Sequence, residues 1–267
     1  MAVHGESLQI EAVAKTVGHT SERVEAIRSV SLDVRAGEFV SIVGPSGCGK
    51  STLLQIVAGL LAPSDGRVVL GGADVTGQPA HMVYLFQQYA KSLLPWLTVE
   101  DNVSFGFQHR THLSRDAIRE RCREHLELVG LADFARHYPW QLSGGMQQRV
   151  AIARALSADS RVLLLDEPFS SVDALTRLEL HALVLDLWTK QRFTAILVTQ
   201  DVDEAIFLAD RVAILSRRPA TLFDVIETQL PRPRRAVETH ELPRFLELRH
   251  QLLGHLLAKS QTPDASL

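Results

Sequence analysis

The chain has 267 residues, 46% hydrophobic and 22% charged, ordinary proportions for a globular protein with a large buried core. A net charge of -3 offers no broad attraction to nucleic acid or anionic lipid. Two cysteines, Cys48 and Cys122, exclude a disulfide framework, no signal peptide is legible, and no stretch approaches the roughly 18 apolar residues of a membrane span, so the expected setting is reducing and cytosolic, with any membrane role reached through a partner.

Taken in chain order, residues 8–14 alternate weakly and read as a strand, as do the apolar, β-branched runs 31–34 and 39–43. A helix is expected over 50–58, stopped near Gly59 and Pro63, followed by short strands at 67–70 and 82–86. From about 114 the pattern turns helical: Ser114 is placed to cap a helix over 115–129, and Ser143 to open one running to 156. Apolar strands at 162–165, 195–198 and 212–215 then alternate with helices at 175–191 and 202–208, the pattern of a parallel sheet covered on both faces. Residues 231–235, with two prolines and three arginines, read as a solvated linker, and 242–259 as a helix that packs back on the body.

Two motifs carry chemistry. Gly44, Pro45, Ser46, Gly47, Cys48, Gly49, Lys50 and Ser51 fit G-x-x-x-x-G-K-[ST], with an apolar strand before and a helix, entered through Thr52, behind. The glycines let backbone N–H groups turn inward around phosphates, and the helix aims its positive end at the same anion. Lys50 is expected at the β- and γ-phosphates of ATP and Ser51 on Mg²⁺, with Cys48 a small filler in the loop. The second motif is a buried apolar strand ending in Asp166 and Glu167. Asp166 can hold Mg²⁺ beside Ser51, and Glu167 can polarise the water that attacks the γ-phosphorus. An Asp-Glu pair alone would equally suit a helix start; the loop upstream favours the catalytic assignment.

A third segment, Leu142-Ser143-Gly144-Gly145-Met146-Gln147-Gln148-Arg149, resembles the signature motif of ABC ATPases. Ser143 and the free N–H groups of Gly144 and Gly145 open a helix and so form a second phosphate-binding end. The resemblance runs from about residue 8 to 216 with its motifs in family order, and it implies that this end, with Gln147, faces the phosphate loop of a second ATPase subunit in a two-fold pair. It implies that Gln87 is the glutamine contacting Mg²⁺ or water, Gln88 being a weaker candidate, and that Asp173 reaches across the dimer. Residues 92–99 (Ser-Leu-Leu-Pro-Trp-Leu-Thr-Val) resemble importers for nitrate, sulfonate and taurine, in which this stretch lies near a docked membrane subunit. The implied fold is an α/β P-loop NTPase (RecA-like) parallel-sheet core with an N-terminal antiparallel β subdomain and an α-helical subdomain. The ATPase domain is expected over 1–230, with the helical insert at about 88–157 and a linker and helix over 231–267. The implied function is the ATP-hydrolysing subunit of an ABC importer for a small anion, peripheral on the cytoplasmic face of the inner membrane. Permease subunits and, indirectly, a substrate-binding protein are its partners, and nucleic acid is not.

Two departures from the family pattern stand out. Gln200, in Thr199-Gln200-Asp201, occupies the position of the usual histidine; it can donate to the γ-phosphate but cannot take a proton as imidazole does. Slowed hydrolysis with ATP binding retained is expected, which keeps a binding or regulatory cassette open as an alternative, beside a soluble non-transport ABC ATPase. The aromatic residue that usually stacks on adenine is also missing; Val17 is the matching position, with His19 close by.

Overall fold

The computed structural model describes residues 4–18, 23–87, 92–108, 114–158 and 160–258. The N-terminal part forms β1 (Leu8–Val17) and β2 (Val24–Val34); β3 (Phe39–Val43) feeds α1 (Lys50–Val57), and β4 (Asp65–Leu70), β5 (Ala73–Asp74) and β6 (Met82–Leu85) follow. Helices α2 (Val99–Gln108), α3 (Arg115–Leu128) and α4 (Gly144–Ser157) occupy the middle of the chain. Strand and helix then alternate through β7 (Val162–Asp166), α5 (Ala174–Gln191), β8 (Thr194–Val198), α6 (Val202–Leu208) and β9 (Arg211–Leu215), before β10 (Ala220–Glu227) and α7 (Pro243–Ala258).

The strands join one sheet in the order β5-β4-β1-β2-β10-β9-β3-β8-β7-β6. From β9 to β6 every pairing is parallel, while β1, β2, β4 and β5 pair antiparallel, so the expected parallel core with an antiparallel N-terminal flank is the observed architecture. β10 joins the two halves, antiparallel to β9 and briefly parallel to β2. The core strands read as unbroken apolar runs because both faces are covered. Phe39, Val43, Leu163, Leu165, Ala195 and Leu197 face one core with α4, α5 and α6, and the alternate residues Val40, Ile42, Leu164 and Ile196 face another with α1.

Helices α2, α3 and α4 pack together over that first core. A Cβ on Gly106 of α2 would sit 2.0 Å from the Ser157 hydroxyl of α4, so only glycine permits this approach, and Ser157 Oγ donates to the Val103 carbonyl at 2.8 Å. Fully buried Asn102 shapes the preceding turn, accepting from Leu94 N–H and donating to the carbonyls of Leu94, Leu97 and Thr98. Of the 92–99 stretch, Leu93 is buried but Trp96 is 70% exposed.

The expected solvation of residues 231–235 holds at Pro231, Pro233 and Arg235 and is overturned at Arg232 and Arg234. Arg235 is exposed, but the Arg234 side chain is 1% exposed and donates to the carbonyls of Ile206, Phe207 and Ala209 at the end of α6. Arg232 pairs with Asp210 at 2.7 Å and lies over the Trp188 ring at 4.1 Å. Long-range packing against α6 decides the placement, and local composition carries no trace of it. The segment brings α7 back onto the body, with Phe245, Leu248 and Leu252 fully buried.

Candidate functional site

Four parallel strands end side by side, and each delivers part of one cluster at its carboxyl end, where ligands bind in sheets of this kind. β3 runs into the loop 44–49 and α1; β7 ends on Asp166 and Glu167; β8 leads to Thr199 and Gln200; β6 leads to Gln87. The level is set by register: Ile42 and Asp166 both pair with Val198 across β8, and Glu167 N–H continues the ladder to the Val198 carbonyl at 2.8 Å. The loop turns on Gly47 and Gly49, whose φ values of +71° and +114° disfavour any side chain. Lys50, 5% exposed, donates from Nζ to the carbonyls of Gly44 (2.8 Å) and Pro45 (3.0 Å), so its ammonium is held inside the loop. Cys48 is buried there, and burial raises its thiol pKa, which suits a filler and not a nucleophile.

Two hydrogen-bonded clusters lie at the strand ends. In the first, Ser51 Oγ donates to Asp166 Oδ1 at 2.8 Å and Tyr84 Oη donates to Asp166 Oδ2 at 2.6 Å. Burial and the neighbouring carboxylate push the Tyr84 pKa up, so the phenol stays a donor. In the second, the Glu167 carboxylate receives Gln87 Nε2 on Oε2 (3.1 Å) and Gln200 Nε2 on Oε1 (2.7 Å). Glu167 itself has φ +44°, a strained left-handed conformation that turns the carboxylate toward these two amides. A cleft of about 210 Å³ runs past the loop, lined among others by Lys50, Ser51, Glu167, Gln200, Ala26 and Arg218.

Residues 27–170 match the family model described as ABC transporter. The chain belongs to the ABC transporter family. Over 259 residues the cassette is 44% identical to the nitrate import ATP-binding protein NrtD of Synechococcus elongatus, spanning 96% of this chain and 94% of that protein. It is 40% identical over 247 residues to the aliphatic sulfonates import ATP-binding protein SsuB of Bacillus cereus, spanning 92% and 94%. Its fold is similar to the dimeric post-hydrolysis structure of the ATP-binding cassette MJ0796 bound to ADP and Pi, with a TM-score of 0.71 and 33% identity over 82% of this chain and 98% of that one. The cassette is an ATP hydrolase of the transporter type.

The signature segment does not line the cleft of its own chain. Ser143 caps α4 by accepting from Met146 N–H at 3.3 Å, and Gln147 Nε2 donates to the carbonyls of Pro139 and Leu142, closing the turn behind the cap. Gly145 abuts α5, since a Cβ there would lie 2.5 Å from Thr176 Cγ2. Asp173 caps α5, accepting from Leu175 N–H, Thr176 N–H and the Thr176 hydroxyl, and that hydroxyl bond pulls its pKa down. The signature helix and the Asp173 turn of the cassette therefore meet on one surface. Val17 is half-buried at the end of β1 and is not among the residues lining the cleft; His19 and Gln88 lie outside the described residues. Sequence reading missed Tyr84 and Arg218. Tyr84 is 82 positions from Asp166 and reaches it only through the pairing of β6 with β7.

Proposed function

We propose that this cassette powers import of a small anion of the nitrate, sulfonate or taurine class, as one of two ATPase subunits bound to membrane-spanning permeases at the cytoplasmic face of the inner membrane. The names of the relatives NrtD and SsuB support the transport class, and the paired MJ0796 structure supports the dimer. Among the described residues no helix is long and apolar enough to cross a membrane, in keeping with a peripheral subunit. An apolar groove of about 750 Å³, lined by Phe86, Leu94, Phe105 and Arg154 among others, opens beside Gln87 and offers the permease a seat next to the catalytic cluster. A substrate-binding protein would meet the permeases, not the cassette.

The observation that carries the catalytic reading is the Glu167 carboxylate held between two amide donors at the mouth of the phosphate loop. ATP lies with its phosphates in the ring of N–H groups from residues 46–52, and Lys50 exchanges its two loop carbonyls for phosphate oxygens. Glu167 accepts a hydrogen bond from the attacking water and aligns it with the γ-phosphorus, and Gln87 and Gln200 fix the orientation of that carboxylate. Ser51 and Asp166 present hard oxygens 2.8 Å apart, a donor set that fits Mg²⁺, with Gln87 adjoining. Bound there, the ion would neutralise charge on the phosphate oxygens. In the pair, Ser143, Gly144, Gly145 and Gln147 of one cassette close over the ATP of the other, Asp173 lies at the same seam, and closure drives the permeases between access states.

Phosphate release by the permease complex tests this reading. Glu167→Gln keeps ATP binding and lowers turnover by about 10²- to 10⁴-fold, the range lost with a positioned base. Turnover indifferent to that change would reject the role of Glu167. Absence of any membrane subunit on co-purification would favour a soluble ATPase. Gln200 favours a second reading, a cassette that binds ATP and regulates; wild-type phosphate release no faster than an enzyme-free blank, with MgATP still bound, would select it.

A further inference from the structure

Two kinds of residue line the cleft beside the phosphate loop. Lys50 and the loop N–H groups already supply positive charge. Ala26 of β2 also lines it, with its carbonyl 3.3 Å from where a Cβ on Gly49 would sit. β2, which carries Ala26, lies between β1 and β10 in the sheet. Val17 at the end of β1 pairs with Val24 on one side of β2, and Ala220 of β10 pairs with Ile27 on the other. The residues just before Ala220 therefore run beside Ala26, which puts Arg218 on the flank of the cleft opposite Val17.

None of the residues lining this cleft is aromatic, and Arg218 is the one lining residue that carries a planar, delocalised cation. It is exposed, and among the described residues it has no hydrogen-bond or ion-pair partner. A guanidinium is weakly hydrated and stacks on aromatic faces, and the small side chain of Ala26 leaves room beneath a ring. We propose that Arg218 positions the nucleotide by packing its guanidinium flat on the purine of ATP seated on the phosphate loop, so that the β9–β10 turn supplies the base contact that neither Val17 nor Ala26 can. This rests on the assignment of the cleft to ATP.

Equilibrium titration of the purified cassette with MgATP and, separately, with inorganic tripolyphosphate, which has no base, tests the inference. Arg218→Ala is expected to raise the Kd for MgATP about 2- to 5-fold, the loss of one cation–π contact at an exposed site, and to leave the Kd for tripolyphosphate and the melting temperature unchanged. Lys50→Met in the same titrations weakens both ligands. Unchanged ATP affinity in Arg218→Ala, or an equal loss for ATP and tripolyphosphate, overturns the stacking role. A wild-type cassette that binds tripolyphosphate but gains nothing from the base overturns it too, while one that binds neither ligand removes the ATP assignment itself.

Discussion

Lys50 and Arg234 are two buried cations that solve the same problem with opposite consequences. Both are satisfied chiefly by backbone carbonyls: Lys50 by Gly44 and Pro45, Arg234 by Ile206, Phe207 and Ala209. The partners of Lys50 lie five and six residues away in its own loop, and the cation stands at the wall of an open cleft. The partners of Arg234 lie 25 to 28 residues away, at the negative end of α6, and a further bond runs to Thr228 Oγ1. Burial pulls the Arg234 pKa down to about 9, with Arg232 beside it adding to the shift and Asp210 opposing it, yet the group stays charged at neutral pH. One cation is parked where a phosphate can take it over; the other is locked in place as a helix cap. Burial and partner type are alike, so access to a ligand, and not desolvation, separates a functional cation from a structural one.

Removing each side chain separates the two roles. Lys50→Met is expected to lower turnover by about 10²- to 10³-fold, the loss of one preorganised electrostatic contact to the transferring phosphoryl group. Its effect on stability should stay within about 1 kcal/mol, since the loop borders an open cleft from which water can reach the two released carbonyls. Arg234→Met reverses the pattern. It strands several buried acceptors at the end of α6 and is expected to cost about 3 kcal/mol or more. That corresponds to a fall in Tm of roughly 6–12 °C for a chain of this size. Nucleotide affinity at a temperature where the variant is folded should not change. Thermal melts beside MgATP titrations read both quantities. A large loss of ATP affinity in folded Arg234→Met would erase the distinction.

The same contrast explains how much was legible beforehand. The phosphate loop, the Asp166–Glu167 strand end and the Ser143 cap are each written in a contiguous stretch whose local structure follows from its own residues. The core strands showed because burial on both faces leaves nothing but apolar residues, as at residues 162–165. Where tertiary contacts override local pattern, reading failed. α2 was missed because buried Asn102 and Ser104, and Gly106, interrupt its apolar period. β1 and β2 are longer than expected because register shifts between Ile10 and Thr16 break the alternation. β10 was missed because it is a partly exposed return strand whose pairing spans two halves of the sheet. Tyr84 and Arg218 enter the site by strand register alone, and Arg234 is buried by a helix end far away in sequence.

The smallest expected effect on turnover concerns Gln200, which touches the Glu167 carboxylate and is one of the two positions where the sequence departs from the pattern that its resemblance implies. Its amide donates to Glu167 at 2.7 Å and so orients the carboxylate proposed to align water, but an amide neither gains nor gives up a proton. Gln200→His keeps a donor at the same place and adds a group with an ordinary pKa near 6.5. Turnover is expected to rise about 10-fold, below the roughly 10²- to 10⁴-fold of a full acid–base catalyst, because in the proposed mechanism Glu167 and the loop do most of the work. MgATP affinity should hold. The sharper readout is the pH profile: proton traffic through imidazole gives the variant an inflection near its own pKa that the parent lacks. A rise in turnover without that inflection would mean the histidine acts only by shape, and no rise at all would mean that glutamine is already a full substitute at this position.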